Sequence, residues 1–203
     1  MNEVDSYIYG LLITDGNLNL RTRNRGKVTL EVSIKDSDIV EKLYSVIPGS
    51  NPIRERTRTT NFSESYVSKI FSNTKLEFRQ KLINQGFPIK DKTLYANTPK
   101  VPYKKYDFWR GVIDGDGSLG FTGEGIPFVS LVTKSEILKD EYLKFLNEEF
   151  GIVKNIHRNK RDNVYNIYLS GEKAIKLAKL LYLNTKNNLY LDRKYDKALE
   201  MNR

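Results

Sequence analysis

The sequence predicts an α+β chain of two related halves, each running αββαββα with a short further element at its end. Two observations carry this. Residues 7–17 read YIYGLLITDGN and residues 108–118 read FWRGVIDGDGS: in both, an apolar run with one internal glycine leads into an Asp-Gly step. Gly10 and Gly111 stand 101 positions apart, and so do Asp15 and Asp116, which in a chain of 203 residues is the spacing of an internal duplication. Behind each copy the hydrophobic pattern then passes through the same order of periods, two residues for strands and 3.6 for helices.

A glycine inside an apolar helix costs about 1 kcal/mol relative to alanine, so two of them at matched positions call for a packing reason. The simplest is a close crossing of the two motif helices, glycine face to glycine face, about a pseudo-twofold axis. Each helix would then end in an aspartate, and the two carboxylates would emerge side by side. Asp-Gly is also a common turn dipeptide, and one copy alone reads as a helix end. Two copies, each with its glycine five residues before the aspartate, read as a divalent-cation site, since hard cations prefer oxygen ligands and magnesium takes only one or two from protein.

In the first half Val4, Tyr7, Ile8, Leu11 and Leu12 share a helical face leading to Asp15. Arg21, Arg23, Arg25 and Lys27 sit at period two around a turn expected at 24–26, and Val28, Leu30, Val32 and Ile34 alternate with polar residues. A short helix is expected over 37–47 with Ser37 as N-cap. A second hairpin carries Arg54, Arg56 and Arg58 in alternation and returns through 66–71, and 75–85 reads as a helix ending at Gly86. Basic combs of this kind suit a sheet laid along a polyanion, and equally a solvated strand face. The proline-punctuated stretch 88–102 holds the inter-repeat linker, dividing the chain into 1–98 and 99–203.

In the second half, 106–116 is the second motif helix and 119–121 with 127–134 the matching hairpin. Lys134 then stands after its aspartate much as Lys35 stands after Asp15. A helix over 136–150, a basic hairpin of 154–161 and 164–169 carrying Arg158, Lys160 and Arg161, and helices over 171–183 and 191–201 complete the chain.

Composition bounds the chemistry. Hydrophobic residues make up 39% and aromatics 11%, enough for a core, and the net charge of +9 points to a polyanionic partner. With no cysteine and one histidine, disulfides, thiolate sites and most nucleophilic triads are excluded, and His157 in a basic stretch reads as a surface residue. With no secretory signal and no apolar run near 18 residues, the expected setting is soluble and intracellular, in cytoplasm or nucleoid, or in an organelle of a eukaryote, away from membranes.

Both motif copies resemble the LAGLIDADG motif of homing endonucleases, residues 8–16 (IYGLLITDG) and 109–117 (WRGVIDGDG) taking its nine positions. The glycine, the apolar pair after it, the second aspartate and the final glycine match; Tyr9, Trp109, Arg110 and Ile13 depart from the pattern. The resemblance spans nearly the whole chain. It implies two four-stranded antiparallel sheets forming a DNA-binding saddle, with the motif helices packed at its centre. It implies a monomeric, metal-dependent endonuclease cutting double-stranded DNA at a long asymmetric site, using Mg2+ or Mn2+. Asp15 and Asp116, with the adjoining Gly16 and Gly117, take the metal-binding positions. The family also places a basic residue late in each half; Lys92 and Lys194 stand 77 and 78 residues beyond their aspartates, with Lys90 and Arg193 as alternatives. Arg21, Arg23, Arg25, Lys27, Lys35, Arg54, Arg56, Arg58, Lys134, Arg158, Lys160 and Arg161 are the candidate DNA contacts. A non-cleaving relative, an intron maturase with RNA as partner or a DNA-binding regulator, is the alternative, and loss of a motif aspartate would favour it.

Overall fold

The computed structural model describes residues 1–60 and 63–203. Its centre is a pair of helices, α1 (Glu3–Thr14) and α5 (Lys105–Asp116). A Cβ added at Gly10 would lie 2.2 Å from the Phe108 carbonyl oxygen, and one at Gly111 would lie 2.3 Å from the Tyr7 carbonyl oxygen. Each glycine thus meets the residue three before the other, which is the signature of a pseudo-twofold crossing at backbone contact. No residue with a side chain fits either place.

Each helix runs directly into the first strand of its own sheet. The chain doubles back so tightly that a Cβ at Gly16 or Gly117 would fall 2.7 Å from the Cα of Leu12 or Ile113. The first sheet has order β1-β2-β4-β3, from β1 (Gly16–Leu20), β2 (Gly26–Ser33), β3 (Arg54–Thr60) and β4 (Ser63–Asn73). The second has order β5-β6-β7, from β5 (Gly117–Phe121), β6 (Pro127–Thr133) and β7 (Tyr165–Ser170). All pairings are antiparallel. Both sheets bury one face. Val28, Leu30 and Phe71 face inward from the first, and Val129, Leu131, Ile167 and Leu169 from the second.

Helices close the inner faces. A short 3₁₀ turn (Ile34–Asp36) leads into α2 (Asp38–Val46), and α3 (Leu76–Asn84) and the one-turn α4 (Lys92–Tyr95) complete the first half. In the second, α6 (Glu136–Phe150) is followed after β7 by α7 (Glu172–Ala178), a π-helical turn (Lys179–Leu183) and α8 (Asp192–Met201). Helix α6 keeps its predicted bounds because both ends are specified chemically. The Ser135 hydroxyl accepts the Leu138 amide at 3.1 Å, and Gly151 ends the helix with φ of 60°. The Trp109 ring packs on α6 through Tyr142 and Phe145, with ring centroids 4.8 and 5.5 Å away.

Two sequence expectations are corrected. The second sheet has three strands, not four, among the described residues: 152–160 carries no strand, and Val153 is 85% exposed. That segment, IVKNIHRNK, lacks the sustained apolar alternation that would give a fourth strand an inner face to bury. Nor do Arg21, Arg23 and Arg25 form a strand comb. They make up the tip of the β1–β2 hairpin, where the Arg21 amide bonds the Arg25 carbonyl at 2.8 Å and Arg23 and Asn24 both take positive φ. Five residues of turn replace the three expected, so the arginines fan out from a loop.

Candidate functional site

The helix crossing brings the two motif aspartates together. Asp15 caps α1 and Asp116 is the last residue of α5. Between them lies Gly115: a Cβ there would strike the Thr14 hydroxyl at 1.9 Å and stand 3.5 Å from the Asp15 carboxyl carbon. The ends of the two helices approach this closely only because residue 115 has no side chain to collide with Thr14. The helix C-terminus is the worst end for a carboxylate, because the carbonyl dipoles already place negative charge there. Two aspartates at two converging C-termini are therefore an arrangement that folding alone does not favour.

Electrostatics bear the same mark. Both residues are exposed to solvent at one side. Even so, the Asp116 carboxyl is pushed up to about 6, first by loss of water around it and then by Asp15, against the pull of Lys92 and Lys194. Burial likewise raises Asp15, with Lys92 and Lys194 opposing and Asp36 adding to the rise. A divalent cation would relieve all of this. The donors, two carboxylates, are hard oxygens, and among the described residues no third acidic, imidazole or thiolate group completes a closed cage. An open site of that kind fits an ion that keeps water and phosphate oxygens in its shell, as magnesium does.

Lys92 and Lys194 both reach the motif helices. The Lys92 ammonium bonds the carbonyls of Thr14 and Leu12 at the end of α1. Lys194, 2% exposed, bonds the carbonyls of Ile113, Asp114 and Gly117 at 2.5, 2.8 and 2.8 Å at the end of α5. Each lysine thus caps the C-terminus of its half's motif helix, satisfying carbonyls that the helix leaves orphaned. Burial lowers both to about 8, opposed for Lys92 by Asp116 and Asp15 and for Lys194 by Asp114. Of the alternatives, Lys90 is exposed and Arg193 is paired with Asp36. The three hydrogens of Lys194 are all engaged, and the Gly117 carbonyl faces this ammonium. Gly16 and Gly117 stand at the tight turns from helix to strand.

The other candidate residues fall into three groups. Arg54, Arg56 and Arg58 line the outer face of β3 as the alternation predicted, with Glu31 of β2 within 3.6 Å of Arg56 and 3.3 Å of Arg58. Lys27 shares that outer face, paired with Asn19 across β1–β2. Arg21, Arg23 and Arg25 lie at the hairpin tip. Lys35 sits in the 3₁₀ turn and Lys134 just past β6, both exposed. Arg158, Lys160 and Arg161 are exposed on the irregular segment before β7: Arg158 donates to the Lys134 carbonyl at 3.3 Å and Arg161 pairs with Asp162. His157 is exposed as well.

Sequence reasoning missed a buried polar framework. Asp114, 2% exposed, accepts the hydroxyls of Tyr7 and Tyr182, each at 2.7 Å, and the Leu191 amide at 3.0 Å. Arg110, 1% exposed, bonds Asp107 at 2.6 Å and the carbonyls of Leu189 and Leu181. Two of the four motif departures have their partners here: Arg110 holds the segment before α8, and Tyr9 at the equivalent place donates to Asn97 at 3.1 Å. The available signal was a charged residue on an apolar helical face. Its partners, 68 to 107 positions away for Asp114, carry no local trace.

Residues 104–189 match the family described as the LAGLIDADG-like domain. Among solved structures, the homing endonuclease I-WcaI bound to its DNA recognition sequence is similar with a TM-score of 0.66 and 15% identity, covering 97% of this chain and 85% of that one. I-DmoI in complex with DNA and Ca gives a TM-score of 0.59 and 15% identity over 98% of this chain and 97% of that one. The K262A mutant of I-SmaMI gives 0.54 and 13% over 100% and 98%. No curated protein matches the sequence. The chain as a whole has the fold of these homing endonucleases, and its second half carries the match to the LAGLIDADG-like domain.

Proposed function

We propose that the chain is a site-specific endonuclease that hydrolyses both strands of a DNA duplex at a long asymmetric target, as a monomer and with a divalent cation, Mg2+ or Mn2+. The observation that carries this reading is the placement of Asp15 and Asp116 at the converging C-termini of α1 and α5. Each aspartate would serve one strand, and the outer face of each sheet runs out from its own aspartate. A bound cation supplies Lewis-acid activation of water and offsets charge building on the phosphate.

The chain's own residues do the rest. Asp15 and Asp116 would hold the cation, and Gly115 lets the two helix ends that carry them approach past Thr14. Lys194 acts as a positioning residue, fixing the end of α5 and so the direction of Asp116. Lys92 does the same for α1 with two carbonyl partners rather than three. Arginines of β3 and of the β1–β2 tip meet phosphates or base edges, arginine to guanine being the commonest specific contact. Unlike outer faces in the two halves suit a non-palindromic site.

The test is cleavage of a randomised duplex library, with new ends sequenced, in magnesium, in chelator, and with Asp15→Asn and Asp116→Asn. Magnesium-dependent ends at one long site, lost in both variants while binding persists, are expected. Folded protein that binds a site and cuts nothing would instead identify a non-cleaving relative.

A further inference from the structure

The outer faces of the two sheets are built from different chemistry. On the first, Arg54, Arg56, Arg58 and Lys27 stand among Asn17, Asn19, Thr29, Glu31 and Ser68, with Tyr66 and Ile70 opposite Arg58 and Arg54. On the second, burial alternation turns Leu119, Val129, Leu131, Ile167 and Leu169 inward. The residues left outside are Ser118 and Gly120 on β5, Phe128, Ser130 and Val132 on β6, and Asn166, Tyr168 and Ser170 on β7. None is charged. Three of them form an apolar platform. The Phe128 and Tyr168 rings stack with centroids 5.6 Å apart and planes 18° apart. A Cβ at Gly120 would be 3.8 Å from the Phe128 ring, so that ring spans from β5 to β7. Tyr168 and Val132 are each 39% exposed. Apolar groups gathered on the open side of a sheet mark a contact surface rather than a core.

One end of the sheet differs from this centre. Lys134, Arg158, Lys160 and Arg161, all exposed, stand where β6 ends and on the segment before β7. A cationic end beside a neutral, apolar face suits a duplex groove, where phosphates line the edges and the one apolar feature of the major groove is the thymine methyl. We propose that the second sheet reads a thymine-rich half-site through Phe128, Val132 and Tyr168, while the arginines of β3 read guanines in the other half. This inference rests on the endonuclease reading and gives its target a direction: one arginine-read arm and one methyl-read arm about the cleavage point.

The test uses the full-length protein and the target recovered by library cleavage. Arg54→Ala and Arg56→Ala relax selectivity in one arm, which assigns that arm to the first sheet. In synthetic duplexes, deoxyuridine then replaces thymidine, arm by arm, removing only the methyl. Binding is expected to weaken about threefold to fourfold per thymine contacted in the second arm, the worth of one buried methyl, and less than twofold across the whole first arm. Phe128→Ser with Tyr168→Ser should erase the thymidine preference while leaving the salt dependence of binding unchanged. The deoxyuridine comparison needs only the parent protein, so it stands even if that variant folds poorly. A cleaved site whose second arm is indifferent to uridine overturns this inference and leaves the endonuclease intact. Absence of any selective binding or magnesium-dependent cleavage overturns both. Tighter binding of the unpaired strand than of the duplex overturns it too, since the rings would then be stacking on bases rather than touching methyls.

Discussion

At the scale of single residues, the site stores electrostatic tension that titration can expose. Asp116 keeps its proton to about pH 6 in the folded chain, against an ordinary value of 3.8. The folded state therefore binds more protons than the unfolded one between those values, and stability falls as pH rises through that window. Asp116→Asn removes the titration. In chelator, variant and parent are expected to melt together at pH 4. At pH 7 to 8 the variant should melt about 2–4 °C higher, from roughly 1 kcal/mol, a figure reduced from the full shift because the side chain is partly solvated. Equal melting temperatures at pH 7.5 would mean that the aspartate pair carries no strain. Saturating magnesium should close the gap by stabilising the parent alone, since a ligand of the native state adds its binding free energy to stability. The same residue thus works against the fold and for the site. That is why the pair was legible in the sequence as chemistry: a repeated Asp-Gly after a glycine-bearing helix has no structural advantage to explain it.

At the scale of elements, the β1–β2 hairpin shows how far alternation can be trusted. Arg79 on α3, 2% exposed, donates to the carbonyls of Gly26 at 3.0 Å, Asn24 and Thr74, pinning the arginine-bearing tip to the body. Arg79→Met keeps the bulk of the stem and removes the donors. Amides of residues 21 and 25 should then exchange with solvent at least tenfold faster, with α1 and α5 unchanged and a global loss of about 1–3 kcal/mol. Unaltered exchange at the tip would show that the hairpin holds itself. Nothing in the period-two spacing of Arg21, Arg23 and Arg25 distinguished a strand from this five-residue turn, because the deciding fact, positive φ at Arg23 and Asn24, depends on α3 beneath. Arg54, Arg56 and Arg58 were read correctly because β4 lies beside them with the apolar partners that make a sheet. The basic stretch 154–161 had the charge of a strand without that partner pattern, and it stayed irregular.

At the scale of the molecule, each half is completed by the other. Helix α4 and the chain after it lie against α6: Ser135 donates to the Ala96 carbonyl at 2.7 Å, and Thr98 bonds Glu141 through amide and hydroxyl at 2.7 and 2.8 Å. Symmetrically, the start of α8 lies against α2 and its 3₁₀ turn, through Lys42 to Asp192 at 2.5 Å, the Asp192 amide to Asp38 at 3.0 Å, and Arg193 to Asp36. The arms that deliver Lys92 and Lys194 to the aspartates are thus braced on the opposite half. The repeat was visible in the sequence; this bracing was not, because its pairs are 39 to 157 positions apart and each looks like an ordinary surface contact. Separated at the boundary, the fragments 1–98 and 99–203 each leave the glycine face of α1 or α5, with its Tyr7, Leu11, Phe108 and Val112, open to water. Neither is expected to unfold cooperatively alone, while a 1:1 mixture should give one cooperative transition and recover magnesium-dependent cleavage. Calorimetry and analytical ultracentrifugation read both properties. A cooperative transition from either fragment by itself, as a monomer, would show that the half is a domain in its own right and that the crossing joins two finished parts.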